Sequence, residues 1–165
     1  MARGSYPGEM ATAAQVRALA DEYRKASHVL LELGRRGAPL TRAPFRLTAI
    51  HAVELYLNAF LLSMGRAAGE IRGLQHDLRS RADLALASGL SLRKRTAEHL
   101  RSLSDGREYL ASRYGPELST ALSQINRLLA TLEEVANKVT ANAVVGAEKS
   151  SGTAGRKRGR PSVPA

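Results

Sequence analysis

From Phe45 to Met64 the chain places apolar side chains on almost every side of a helix, with Arg46, His51, Glu54 and Asn58 set among them. A helix that is apolar all round has no face to offer water and must be surrounded by other elements. Pro44 suits a first helical position and Gly65 a stop, so the segment reads as one long central helix. Its embedded polar residues argue against a bilayer span. The stretch Met1 to Met10, with Arg3 but no apolar core, does not resemble a signal peptide. The chain contains no cysteine, which removes disulfides, thiolate nucleophiles and thiolate metal sites together. These features imply a cytoplasmic protein without membrane contact.

The remaining segments supply a jacket for that helix. Thr12-Ala13-Ala14-Gln15 has the form of a capping box, and Val16, Leu19, Ala20, Tyr23, Ala26, Leu30 and Leu33 share one face of a helix up to Gly34. Arg66 to Gln75 reads as a connector. His76-Asp77-Leu78 then opens a third helix that ends at Ser88, before Gly89. Ser91 can cap a fourth helix with Leu92, Thr96, Leu100 and Leu103 facing inward, and Gly106 divides it from Arg107 to Tyr114. After Gly115-Pro116, the residues Leu118, Leu122, Ile125, Leu129, Leu132, Ala136 and Val139 form a heptad seam. This helix either seals the core or pairs with a second copy, and internal packing is what any bundle helix needs. No strand pattern is visible. The expected fold is all-α: an antiparallel bundle of about four to five helices over 12–140, preceded by a flexible 1–11 and followed by a disordered basic tail, 141–165.

The net charge is +10, a balance that favours polyanionic partners, nucleic acid above all. Between Asn142 and Ala165 stand Lys149, Arg156, Lys157, Arg158 and Arg160 against the single acid Glu148. Within this tail, Arg156-Lys157-Arg158-Gly159-Arg160-Pro161 resembles the AT-hook peptides that bind the DNA minor groove. The resemblance makes physical sense. Gly159 lets an extended backbone approach the groove floor, Arg158 and Arg160 enter the strong negative potential of a narrow A·T-rich groove, and Pro161 keeps the chain extended. Arg156 and Lys157 then serve phosphates, so the tail is expected to prefer DNA to RNA.

On the central helix, His51, Glu54 and Asn58 share a face. A carboxylate beside an imidazole can do acid/base work, although such clusters more often satisfy themselves inside a core. The run His51-Ala52-Val53-Glu54-Leu55-Tyr56-Leu57-Asn58-Ala59-Phe60-Leu61-Leu62, then Gly65, then His76-Asp77-Leu78, and later Arg113-Tyr114-Gly115-Pro116, resembles the HEPN superfamily of small helical bundles. The resemblance spans Ala14 to Val139. It implies a homodimer and two branches of function: metal-independent ribonucleases of toxin-antitoxin or defence systems, and non-catalytic members that bind nucleic acid, nucleotides or a partner protein. Many members carry lysine where this chain has Asn58. The ribonuclease branch depends on an arginine followed after a short spacer by histidine, and the topologically matching stretch, Arg107 to Arg113, contains no histidine. The spacing recurs at Arg93/His99 and Arg46/His51, with about one such match expected by chance.

These readings favour a non-catalytic HEPN-like binding or regulatory protein, homodimeric, that associates with nucleic acid through its tail. The alternatives are a metal-independent ribonuclease and a partner subunit of a nucleotidyltransferase-type protein. If the protein is catalytic, the candidates are Arg93 and His99, followed by His51 and Glu54. No cofactor or metal is called for, since only four histidines exist and no second helix repeats a Glu-x-x-His pair.

Overall fold

The computed structural model describes residues 6–153. They form seven α-helices: α1 (Ala13–Leu33), α2 (Ala43–Ser63), α3 (Ala68–Gly73), α4 (Leu78–Ala87), α5 (Lys94–Asp105), α6 (Glu108–Tyr114) and α7 (Ile125–Thr153). No strand occurs among the described residues, and the all-helical class expected from the sequence is observed. The segment Arg156 to Pro161 lies outside the described residues.

α2 is the axis of the molecule. Phe45, Ala49, Val53, Tyr56, Leu57 and Leu61 each have no exposed surface, and burying side chains of the larger kind contributes about 1.5–3 kcal/mol apiece. The stretch Pro39–Ser63 is long and apolar enough to cross a membrane by length and composition, but 67% of its most apolar 18-residue window is buried inside the protein. α1 covers it as an antiparallel partner: Tyr56 donates to Asp21, Tyr23 meets the His51 ring, and Arg42 reaches the Leu31 carbonyl at 2.7 Å. The capping box at Thr12 is present with both of its hydrogen bonds. α5 and α7 also run antiparallel. His99 contacts Thr131 at one level, and Thr96 donates to Glu134 at another.

Helix ends follow the glycine signals where the backbone needs a left-handed residue. Gly65 and Gly89 have φ of +84° and +101°, and each is followed by a hydrogen bond closing the last turn, Arg66 N–H to Leu61 and Leu90 N–H to Ala85.

Several sequence expectations need correction. The connector Arg66–Gln75 contains a helix of its own, α3. Ser91 does not cap α5. Its N-cap is Arg93, and the cap acceptor is the Glu134 carboxylate of α7, 2.6 Å from the Arg93 N–H. The heptad helix starts at Ile125 and not after Pro116, because the chain before it is held by Glu108: Ser123 donates to that carboxylate from its N–H at 2.6 Å and its hydroxyl at 2.9 Å. Its buried face accordingly runs through Leu128, Leu132, Val135 and Val139, while Ile125 and Leu129 flank it half-buried. α7 is helical from Ile125 to Thr153.

Arg46 is buried at 6% exposure and meets Glu108, itself 5% exposed, at 3.3 Å while donating to the Ser123 carbonyl. This links α2, α6 and the segment leading into α7. Removing one member of a buried pair strands the other charge. Glu108→Ala is therefore expected to lower unfolding free energy by about 3–5 kcal/mol. The double change Arg46→Met with Glu108→Leu should recover most of the loss. Urea denaturation checks both, and an unchanged midpoint for the single variant contradicts the assignment.

Candidate functional site

Glu54 sits on α2 with its side chain buried at 7% exposure, where an unpaired carboxylate would be costly. Its partners come from the connection between α3 and α4. Arg81 of α4, only 2% exposed, brings Nη2 to 3.5 Å from Glu54 Oε1 and donates from Nε to Asn58 Oδ1 at 2.6 Å. The same guanidinium donates to the carbonyls of Gln75 and Ile71. Burial lowers its pKa, and Glu54 and Asp77 oppose that shift. One arginine thus ties the middle of α2 to the loop beneath it. Asn58 accepts from Arg81 and so has a place in this lock.

The loop presents His76. Gln75 just before it takes a left-handed conformation at φ +48°, a backbone cost of about 1–3 kcal/mol for a non-glycine residue. Asp77 just after it caps α4, accepting from the Ser80 N–H at 3.2 Å, and also accepts from the Ser104 hydroxyl at 2.8 Å. Leu78 is buried at 2% exposure. Between these anchors, His76 Nδ1 lies 3.1 Å from Glu54 Oε2, and its ring stacks on Tyr109 of α6 with centroids 4.0 Å apart. A carboxylate acceptor fixes the Nδ1–H tautomer, leaving Nε2 as the second, unassigned nitrogen of a ring that is half exposed. Arg113 donates to the Tyr109 hydroxyl and lies 5.1 Å from its ring centroid.

His51 packs edge-on against Tyr23 at 4.5 Å. Burial lowers its pKa. Glu54 opposes this shift, while His76 and Arg113 add to it. His51, Glu54, Asn58 and His76 line one part of a cleft of about 1060 Å³ whose apolar wall includes Val16, Leu19, Leu55, Leu62 and Ile71. Tyr6, Pro7, Gly8, Glu9 and Ala11 also border it, with Arg72 placed 4.6 Å from the Tyr6 ring centroid. The assembly can hold and orient a ligand with hydrogen-bonding groups, and it offers one positioned imidazole for proton exchange. Among the described residues no group of three His, Cys, Asp or Glu side chains is placed to hold a metal ion.

The sequence candidates separate in space. Glu54 and His51 belong to this cleft, with Glu54 paired to His76. Arg93 is an exposed N-cap residue, 83% exposed at its side chain, that reaches toward Glu134 at 3.5 Å. His99 points instead into the interface with α7, 7% exposed and 2.8 Å from the Thr131 hydroxyl. Arg46 is committed to Glu108, away from His51. Arg81, Tyr109 and Arg113 escaped the sequence reading as site residues. The available signal was the pair of acceptors Glu54 and Asn58 one turn apart on a buried helix face, which requires a buried donor from elsewhere.

Comparison with known protein families, with curated proteins and with solved structures finds no match for this chain.

His99 reports on the interior between α5 and α7. Burial, and then Arg127 and Arg46, push its pKa down from 6.5 to about 4. As pH falls from 6.5 toward 4 the unfolded chain takes up a proton that the folded one refuses, so stability is lost across that window. The loss should reach about 3 kcal/mol. Urea midpoints measured through this range should fall for the wild type and fall less steeply for His99→Gln. Parallel pH profiles would contradict a buried neutral His99.

Proposed function

We propose that this chain is a HEPN-like antiparallel helical bundle that binds nucleic acid without cleaving it. It works in the cytoplasm as a homodimer and attaches to A·T-rich duplex DNA through Arg156, Lys157, Arg158, Gly159, Arg160 and Pro161. One observation carries this reading: the buried core ends at Val139, yet α7 goes on to Thr153. At the rise of an α-helix the extension is about 20 Å long. Ala141, Asn142, Val144 and Val145 on it are exposed. These exposed positions leave this part of α7 unpacked against the body, which supports a contact role for the basic segment that follows it in sequence. The net charge of +10 agrees with a polyanionic partner.

The residues that carry the family resemblance support the same reading of the body. Glu54 and His76, distant in sequence, are partners, and Asp77 and Leu78 cap and bury the start of α4. A second reading, metal-independent RNA cleavage, is favoured by that dyad. In it His76 Nε2 would accept the 2′-hydroxyl proton as the O2′–P bond forms, the P–O5′ bond breaks and the leaving oxygen takes a proton from water.

Binding measured over a salt series separates the readings. For the wild type on A·T-rich duplex, the slope of log affinity against log salt should lie near about −4, for about four phosphate-contacting cations. Arg158→Ala with Arg160→Ala should abolish the preference for A·T-rich over G·C-rich duplex. Unchanged A·T affinity in that variant removes the tail hypothesis. Cleavage of RNA that disappears with His76→Ala would replace the binding reading by the second.

A further inference from the structure

Tyr114 ends α6 with 70% of its surface exposed. It is the open end of a ladder. His76 stacks on Tyr109, and the Arg113 guanidinium lies 5.1 Å from the Tyr109 ring centroid and 5.2 Å from that of Tyr114. The inner rung is held by the buried Glu54, so the ladder is anchored in the core at one end and free at the other.

Beside Tyr114 lies a cavity of about 310 Å³, bounded by the Gly115-Pro116 turn on one side and by Pro39, Leu40 and Ala43 on the other. That volume is at the small end of the range for organic ligands. The neighbouring turn between α1 and α2 carries Arg35 and Arg36, both exposed. Together with Arg113 they have no carboxylate within ion-pair distance among the described residues. From Gly34 to Arg46 the chain contains no acidic residue, while Glu117 is the carboxylate of the adjoining turn. An exposed ring backed by a guanidinium, a cavity of this size and free cations nearby are the parts of a single-strand stacking platform.

We infer that this end of the molecule is a second nucleic-acid contact, in which an unpaired DNA base stacks on Tyr114 beside the small cavity while Arg113, Arg35 and Arg36 meet the flanking phosphates. The choice of DNA rests on the proposed duplex binding by the tail. The two contacts use different parts of the sequence: Ser119 and Leu122, just before α7, line the cavity, whereas the basic segment comes after Thr153. A duplex-bound protein would then hold a frayed or single-stranded region next to the A·T-rich site.

The test uses the full chain and a fluorescent oligothymidylate, with oligouridylate and A·T-rich duplex as comparison arms. Tyr114→Ala should weaken oligothymidylate binding about tenfold, and Tyr114→Phe should retain it, because stacking needs the ring and not the hydroxyl. Arg113→Gln should reduce the magnitude of the salt slope by about 0.7. Neither Tyr114 variant should alter affinity for the duplex. The same pair of variants, measured with Arg158→Ala and Arg160→Ala also present, reads the platform independently of the tail. Equal binding of oligothymidylate by Tyr114→Ala and the wild type overturns the inference, as does an equal loss in Tyr114→Phe or a preference for oligouridylate.

Discussion

Arg81 of α4 reaches into the core to meet a carboxylate that α2 has carried there, and the loop that presents His76 is arranged around that meeting. α2 is too apolar to lie on a surface and too polar to be buried without help. Three sets of partners resolve the conflict at successive levels of the helix. Near its start Arg46 finds Glu108 and Ser123, in its middle Glu54 and Asn58 find Arg81 and His76, and between them on another face Tyr56 finds Asp21. Buried polar groups demand such pairing. Each solution fastens a different neighbour, so polar residues within the apolar helix decide where the surrounding segments lie.

The middle level has consequences beyond packing. Because Arg81 also holds the carbonyls of Ile71 and Gln75, the loop that ends in His76 is held from two directions. Tyr109 then closes the ring from α6. His76 is thereby oriented by a carboxylate on one edge and an aromatic ring on one face, while part of it stays open. Such preorganisation suits recognition as well as proton transfer, since a held side chain has less freedom left to lose on binding. Arg72 and Arg81 line the cleft itself, whereas the cations of the proposed nucleic-acid contacts, Arg35, Arg36, Arg113 and those of the Arg156–Pro161 segment, lie elsewhere in the sequence.

Much of the fold was legible because helix signals are local. Thr12 and Gln15 make the capping box, Gly65 and Gly89 end their helices in the left-handed conformation, and the apolar content of α2 placed it at the centre. The failures were tertiary. Nothing near Ser91 in sequence shows that a glutamate from α7 will cap α5, and the heptad gave no warning that Glu108 would hold Ser123 outside the helix. The site was half legible for the same reason. Spacing put His51 and Glu54 on one face of α2, but the partner of Glu54 is His76 from a separate loop. Arg93 and His99 share a short spacing in sequence, yet Arg93 is the extended, exposed N-cap residue of α5 that meets Glu134, whereas His99 is buried one level further along α5 against Thr131.

The most direct test of this organisation is the tautomer of His76, read from the nitrogen-15 shifts of its ring in the neutral form at alkaline pH. A carboxylate at Nδ1 requires the proton there, so the spectrum should show Nδ1 protonated and Nε2 bare, against the opposite preference of a free imidazole in water. A ring protonated at Nε2 would mean that Glu54 does not hold His76, and the proposed anchoring of the loop and of the aromatic ladder would fall with it.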